Sequence, residues 1–113
     1  MRVTIGLAQM YPKLGDVHTN VATHLELVAR AKQENVDLLV FPELSLTGYQ
    51  MQDLVSEVAI RATADDPIFK QLLEASHELD IVFGFVHEDE RNRFYIANAY
   101  VSAGEVVHIH HKL

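Results

Sequence analysis

Cysteine is absent from the 113 residues. That excludes a disulfide framework, a thiolate metal site and a cysteine nucleophile within this sequence. Basic residues are scarce as well, with 9 Lys and Arg against 16 Asp and Glu and a formal net charge of −7. No Lys/Arg cluster forms the basic face on which proteins hold a phosphate backbone, so no nucleic-acid partner is expected. The seven histidines add positive charge only on acidification. No apolar run reaches the roughly 18 residues of a membrane-spanning helix. The apolar start, Val3–Met10, is interrupted by Gly6 and Gln9 and lacks a following small-residue cleavage site. A protein of the cytoplasm, with no membrane partner, is the expectation.

What remains is ordinary globular material: 49% hydrophobic and 22% charged residues with a mean hydropathy near zero. Residues 1–113 read as one organisational unit, without repeats, low-complexity stretches or linkers. The alternation Val3-Thr4-Ile5-Gly6-Leu7-Ala8-Gln9 predicts a strand with Val3, Ile5 and Leu7 on one face. A Pro- and Gly-punctuated loop follows, then a helix over Val17–Glu34 with Val21, Leu25 and Val28 as its apolar stripe. Asn35 is a fitting helix stop. Asp37–Phe41 is short and almost wholly apolar, so it reads as a strand buried on both faces, making a right-handed βαβ unit with the first strand. Asp53 could cap a short helix running to about Arg61. Asp66-Pro67 is a stronger start, with Ile68, Leu72, Ala75 and Leu79 on one face of the helix it opens. Ile81–Val86 reads as a third buried strand. Phe94–Val101 and Glu105–Lys112 form a hairpin around Ser102-Ala103-Gly104, with Gly104 supplying a positive φ. The fold class is therefore α/β, a mixed sheet covered by helices with an antiparallel pair at its end.

Glu43 stands just beyond Phe41-Pro42, at the carboxyl end of a strand, where open α/β sheets place their ligands. Partial desolvation there raises a carboxylate's pKa toward the range of a general base. Spacing alone also allows a carboxylate that caps the turn or pairs with a lysine. Lys112 shares a predicted strand face with Val106, His108 and His110, and taken alone it reads as a solvated lysine. His108 and His110, two residues apart, have the placement of a shared metal site but no third ligand at motif spacing. They read more simply as edge-strand residues, so no metal and no cofactor is expected. Asp89–Arg93 is a charged, solvated turn. Tyr49 and Tyr95 are either pocket-lining or rim aromatics.

Leu39-Val40-Phe41-Pro42-Glu43-Leu44 followed by Thr47-Gly48-Tyr49 resembles the general-base motif of the nitrilase superfamily of carbon–nitrogen hydrolases. Ile5-Gly6-Leu7-Ala8-Gln9, Gly15-Asp16 and Asn20 resemble that family's opening. Asn98-Ala99-Tyr100-Val101, Gly104-Glu105 and His111-Lys112-Leu113 resemble its asparagine-containing strand, its glycine turn and its lysine motif. The family uses a Cys-Glu-Lys triad, and the resemblance puts Glu43 in the place of the general base and Lys112 in that of the oxyanion-stabilising cation. Tyr49 falls in the loop after the base and is a candidate substrate-binding residue. That loop, Gly48–Val55, resembles the glutaminase domains of glutamine-dependent NAD synthetases.

The resemblance implies the N-terminal half of an α-β-β-α sandwich, with the triad cysteine and a second, assisting glutamate beyond Leu113. A stand-alone amidase-type hydrolase ranks first, acting on a small-molecule amide or nitrile. It also implies a homodimer or higher homo-oligomer, and an apolar surface where the second half would sit. A nitrilase-like scaffold that binds without a nucleophile is the rival reading. By themselves, the 113 residues are expected to be inactive.

Overall fold

The computed structural model describes residues 1–49 and 54–112. Its two long helices begin where short acidic side chains can satisfy exposed backbone donors. The Asp16 carboxylate accepts from Thr19 N at 3.0 Å and starts helix α1, Val17–Gln33. Asn20, Val21, His24, Val28 and Ala31 recur at helical spacing and form the buried face of α1. The chain leaves this helix through Asn35 at φ 59°, a left-handed conformation asparagine tolerates. Asp66 accepts from Ile68 N and Phe69 N at 2.9 and 3.1 Å, and Pro67 opens helix α3, Pro67–Ala75. Leu79 is buried as expected but lies past the helix end, which Ser76 closes. The short helix α2 covers Val55–Val58. Its expected cap, Asp53, lies outside the described residues.

Five strands form one sheet in sequence order: β1 (Ile5–Leu7), β2 (Leu38–Val40), β3 (Asp80–Glu88), β4 (Phe94–Ser102) and β5 (Glu105–His111). The first three run parallel, in register through Ile5, Leu38 and Asp80. β4 and β5 are antiparallel additions. The β4–β5 turn is tighter than glycine alone implies, because Ala103 and Gly104 both adopt positive φ, 52° and 81°. With Ser102 paired to Glu105, that is a two-residue type I′ turn, whose twist matches the strands.

The core lies on one side of this sheet. Phe69 and Leu72 from α3 and Val21 and Val28 from α1 meet Phe83 and Phe85 of β3. Phe69 packs against both β3 phenylalanines with ring centroids 5.7 and 5.8 Å apart, within the range of favourable aromatic pairs. The opposite face is covered only where Leu44 and Val58 pack on Val86; elsewhere it has no covering layer among the described residues. The expectation that β2 is buried on both faces is therefore corrected, since Leu38 and Val40 are only half-buried; β3 is buried over Ile81–Val86 as expected, except at Val82. Ile5, Leu7 and Ile96, on that same face, are exposed. An apolar strand pattern records the wish to be buried, and cannot say whether a second layer is present to do it.

A cap substitution tests this local account. Asp66→Ala removes three acceptor contacts, since the same carboxylate also accepts from Arg61 N at 3.1 Å. Denaturant unfolding should show a loss of about 1–2 kcal/mol, with Asp66→Asn retaining most of it. Equal losses for the two variants would mean that charge, not capping geometry, supplies the effect.

Candidate active site

Beyond β2 the chain does not leave the sheet but folds down over β3. Phe41 N donates to Val82 O at 2.8 Å and Leu46 N to Gly84 O at 3.0 Å, so residues 41–46 continue beside β3 without forming a strand. Gly84 makes this approach possible. A Cβ there would lie 2.2 Å from Leu44 N and 2.9 Å from both the Glu43 carbonyl carbon and Pro42 O. Leu44 takes φ 52°, which turns the loop directly after Glu43. Gly48 N closes that turn by donating to Leu44 O at 2.7 Å. From α1, the buried Asn20 carboxamide donates to Leu46 O and Lys13 O, each at 2.8 Å, and accepts from Lys13 N at 2.7 Å. It thereby ties the loop after β1 to the loop after β2.

At the tip of this construction Glu43 and Lys112 meet. Lys112 Nζ lies 3.0 Å from Glu43 Oε1, and the Tyr49 hydroxyl donates to Glu43 Oε2 at 3.1 Å. Lys112 is held by its backbone, since its N–H donates to Ile96 O at 2.8 Å and extends the β4–β5 ladder by one residue. The Lys112 ammonium and the Tyr49 hydroxyl draw the Glu43 carboxyl below its ordinary pKa, and partial burial opposes them without prevailing. This reverses the expected upward shift. The site is open to water, so desolvation is weak and a cation at hydrogen-bond distance wins. Tyr49 is pushed up, chiefly by its hydrogen bond to Glu43.

A cavity of about 330 Å³ adjoins Glu43, lined mainly by Met10, Tyr11, Pro12, Leu14 and Tyr49. A larger cleft of about 580 Å³ lies at the charged turn near Arg61, His87 and Asp89–Arg93. Two of its three guanidinium groups are already engaged, Arg61 with Glu88 at 3.2 Å and Arg93 with Asp89 at 3.1 Å. Three hydrogen bonds from Arg91 and Arg93 hold Asp89 low, at a pKa of about 2, so the turn is a knit structure as well as a solvated one. The smaller cavity, with an ion pair at its edge and apolar walls, is the better reaction site.

Four of the seven histidines fall into two groups on β3 and β5. His108 and His110 are exposed on β5, opposite Tyr100 and Asn98. Among the described residues, no three His, Asp or Glu side chains are grouped to hold a metal ion. A bulge at Tyr100/Val101 breaks the expected row on β5: Val106 pairs with Val101 and moves to the face opposite His108 and His110. His87 Nδ1 and His111 Nε2 lie 2.8 Å apart, with Tyr95 stacked on the His111 ring at 4.0 Å. Tyr95 is thus a packing residue next to Lys112.

Sequence reasoning passed over His24, Ser45 and Gly84. Two of the three carried a signal, and Ser45 carried none. His24 is a polar residue at the helical spacing of Val21 and Val28, and Gly84 is an isolated glycine inside a strand, a usual mark of close backbone approach.

Known proteins share this architecture. The family model described as carbon-nitrogen hydrolase matches residues 4–113. A glutamine-dependent NAD(+) synthetase of Acinetobacter baylyi is 35% identical over 108 residues, covering 96% of this chain and 20% of that protein. The solved glutamine-dependent NAD+ synthetase of Acinetobacter baumannii superposes with a TM-score of 0.73 at 30% identity, over 96% of this chain and 20% of its own. Saccharomyces cerevisiae Nit3, described as a member of branch 10 of the nitrilase superfamily, gives a TM-score of 0.85 at 17% identity. It covers 98% of this chain and 44% of its own, a likeness of fold. The chain spans about a fifth of the length of the synthetases it matches.

Three variants probe the site. Gly84→Ala forces a Cβ into backbone atoms of the base loop, and should cost about 1–3 kcal/mol in denaturant unfolding. A Gly84→Ala protein as stable as wild type would show that the loop moves away freely. Lys112→Met removes the main cause of the depressed Glu43 pKa. A carbon-13 titration of the Glu43 carboxyl should then move upward, with Tyr49→Phe giving a smaller rise. The sign for stability follows: the ion pair contributes above the ordinary carboxylate value of 4.5 and its contribution fades as pH falls through the lowered folded value. An unchanged Glu43 titration in Lys112→Met would remove the ion pair from the account.

Proposed function

The chain belongs to the carbon-nitrogen hydrolase family, and from that premise we propose that Glu43 and Lys112 are two members of a Cys-Glu-Lys triad that hydrolyses a linear amide. The observation that carries this reading is the 3.0 Å contact between Lys112 Nζ and Glu43 Oε1 at the edge of an apolar cavity. Glu43, held ionised by its neighbours, takes the proton of a thiol nucleophile and returns one to the leaving nitrogen. Lys112 supplies fixed positive charge to the tetrahedral oxyanion. Tyr49, whose hydroxyl already touches Glu43, lines the entry to the cavity and contacts substrate.

The nucleophile and the second half of the domain belong to a segment following this sequence. The uncovered sheet face, with Ile5, Leu7 and Ile96 exposed, is what such a half would bury in the β-β contact of an α-β-β-α sandwich. Covering it also dries the site, which raises the Glu43 pKa from its lowered value toward the range of a working base. Among amides, the side-chain amide of glutamine is favoured, because the 35%-identical relative is a glutamine-dependent synthetase. Placement in the cytoplasm and assembly as a homodimer or higher homo-oligomer complete the proposal. The absence of cysteine from these residues is the one observation favouring the rival scaffold reading. The coding sequence past Leu113 separates the two: a cysteine on a strand-to-helix turn supports the enzyme and a stop codon the scaffold.

The activity test uses the full-length polypeptide and measures ammonia release from glutamine and from simple aliphatic amides. Glu43→Gln and Lys112→Met should each lower kcat by about 10²–10⁴-fold, and residues 1–113 alone should release none. Wild-type turnover in Glu43→Gln, or turnover by the isolated 113 residues, would overturn the assignment.

A further inference from the structure

His24 is fully buried in α1, yet every polar atom of its ring is engaged. Its Nδ1 lies 2.6 Å from Asn20 O, and a carbonyl can only accept, so Nδ1 carries the proton. Burial holds the ring neutral, with a pKa of about 4, which leaves Nε2 as a bare acceptor. The Ser45 hydroxyl, 2.8 Å away, donates to it. The Ser45 oxygen in turn accepts from Gly84 N at 3.1 Å. The alternative acceptor for the Ser45 hydroxyl, Gly84 O, is 3.5 Å away and is the poorer partner. The hydrogen bonds thus run in one direction, from Gly84 N through Ser45 and His24 to Asn20 O, linking β3, the base loop and α1.

The same ring stacks on Phe41 with centroids 4.1 Å apart and planes 25° from parallel. His24 therefore grips the loop two residues before Glu43 and two residues after it. Between those grips Leu44 sits at φ 52°, a conformation that bulky side chains avoid and surrounding structure must enforce. Among the described residues the Glu43 carboxylate has no buried anchor, since its contacts are to the exposed side chains of Lys112 and Tyr49.

We propose that His24 and Ser45 are positioning residues for Glu43, forming a buried clamp that fixes the base loop so that its carboxylate meets Lys112. This rests on the reading of Glu43 as the base, but its first test does not. His24→Phe keeps a ring against Phe41 and loses both nitrogens. Ser45→Ala loses one hydroxyl. His24→Gln restores a donor and an acceptor in place of the imidazole.

In a carbon-13 titration of the Glu43 carboxyl, Ser45→Ala and His24→Phe should raise its pKa toward the ordinary value, and His24→Gln should bring it back down. The remote Asp89 carboxyl should titrate unchanged in all three. Folded Ser45→Ala protein with wild-type Glu43 titration overturns the proposal, and Ser45→Ala carries the test alone should His24→Phe fail to fold. In the full-length polypeptide the clamp variants should lower kcat about 10- to 100-fold with KM little changed. An inactive wild type together with a shifted titration would sink the hydrolase reading and leave the clamp standing. Wild-type kcat in a variant whose titration has not moved would sink the clamp and leave the hydrolase reading standing.

Discussion

The base loop can lie where it does because β3 carries no side chain at residue 84. Backbone atoms of Pro42, Glu43 and Leu44 occupy the space that any other residue's Cβ would fill. Because the loop is that close, Leu46 N and the Ser45 hydroxyl reach the two polar groups of Gly84, and the loop shares in the sheet's hydrogen bonding. That in turn places Glu43 at the end of the sheet where Lys112 arrives from β5. Removing one methyl-sized volume from the centre of a strand is the condition on which the ion pair depends.

The second constraint is the one-sidedness of the sheet. Both long helices pack on a single face, giving a full core there and leaving the other face apolar and, apart from the end that Leu44 and Val58 cover, open among the described residues. The electrostatics of Glu43 follow from this openness. In a closed site burial would raise its pKa; here water reaches the carboxylate and the neighbouring ammonium dominates. The same side chains would constitute a different acid–base system once a second layer excludes solvent.

Much was legible residue by residue. The order of elements, the Asp66 cap, the Asn35 stop and the glycine turn come from short-range chemistry. The expected row on β5 failed because a bulge between Tyr100 and Val101 depends on pairing with another strand, which periodicity along one strand does not contain. His24 was passed over because its meaning lies in Ser45 and Phe41, far away in sequence. The two-sided burial expected of β2 failed because an apolar run reports affinity for a layer without supplying it.

By itself, then, the sequence determined which segments become helix or strand, where the two long helices start, and that Glu43 and Lys112 each stand at a strand end. Only the tertiary structure decided that those two ends converge to 3.0 Å, that the carboxylate is more acidic than usual, and that a buried histidine holds the loop between them. The division follows from range. Capping, turns and periodicity act within a few residues, whereas distance, solvent exposure and field strength at a charged group are set by whatever the whole chain brings beside it.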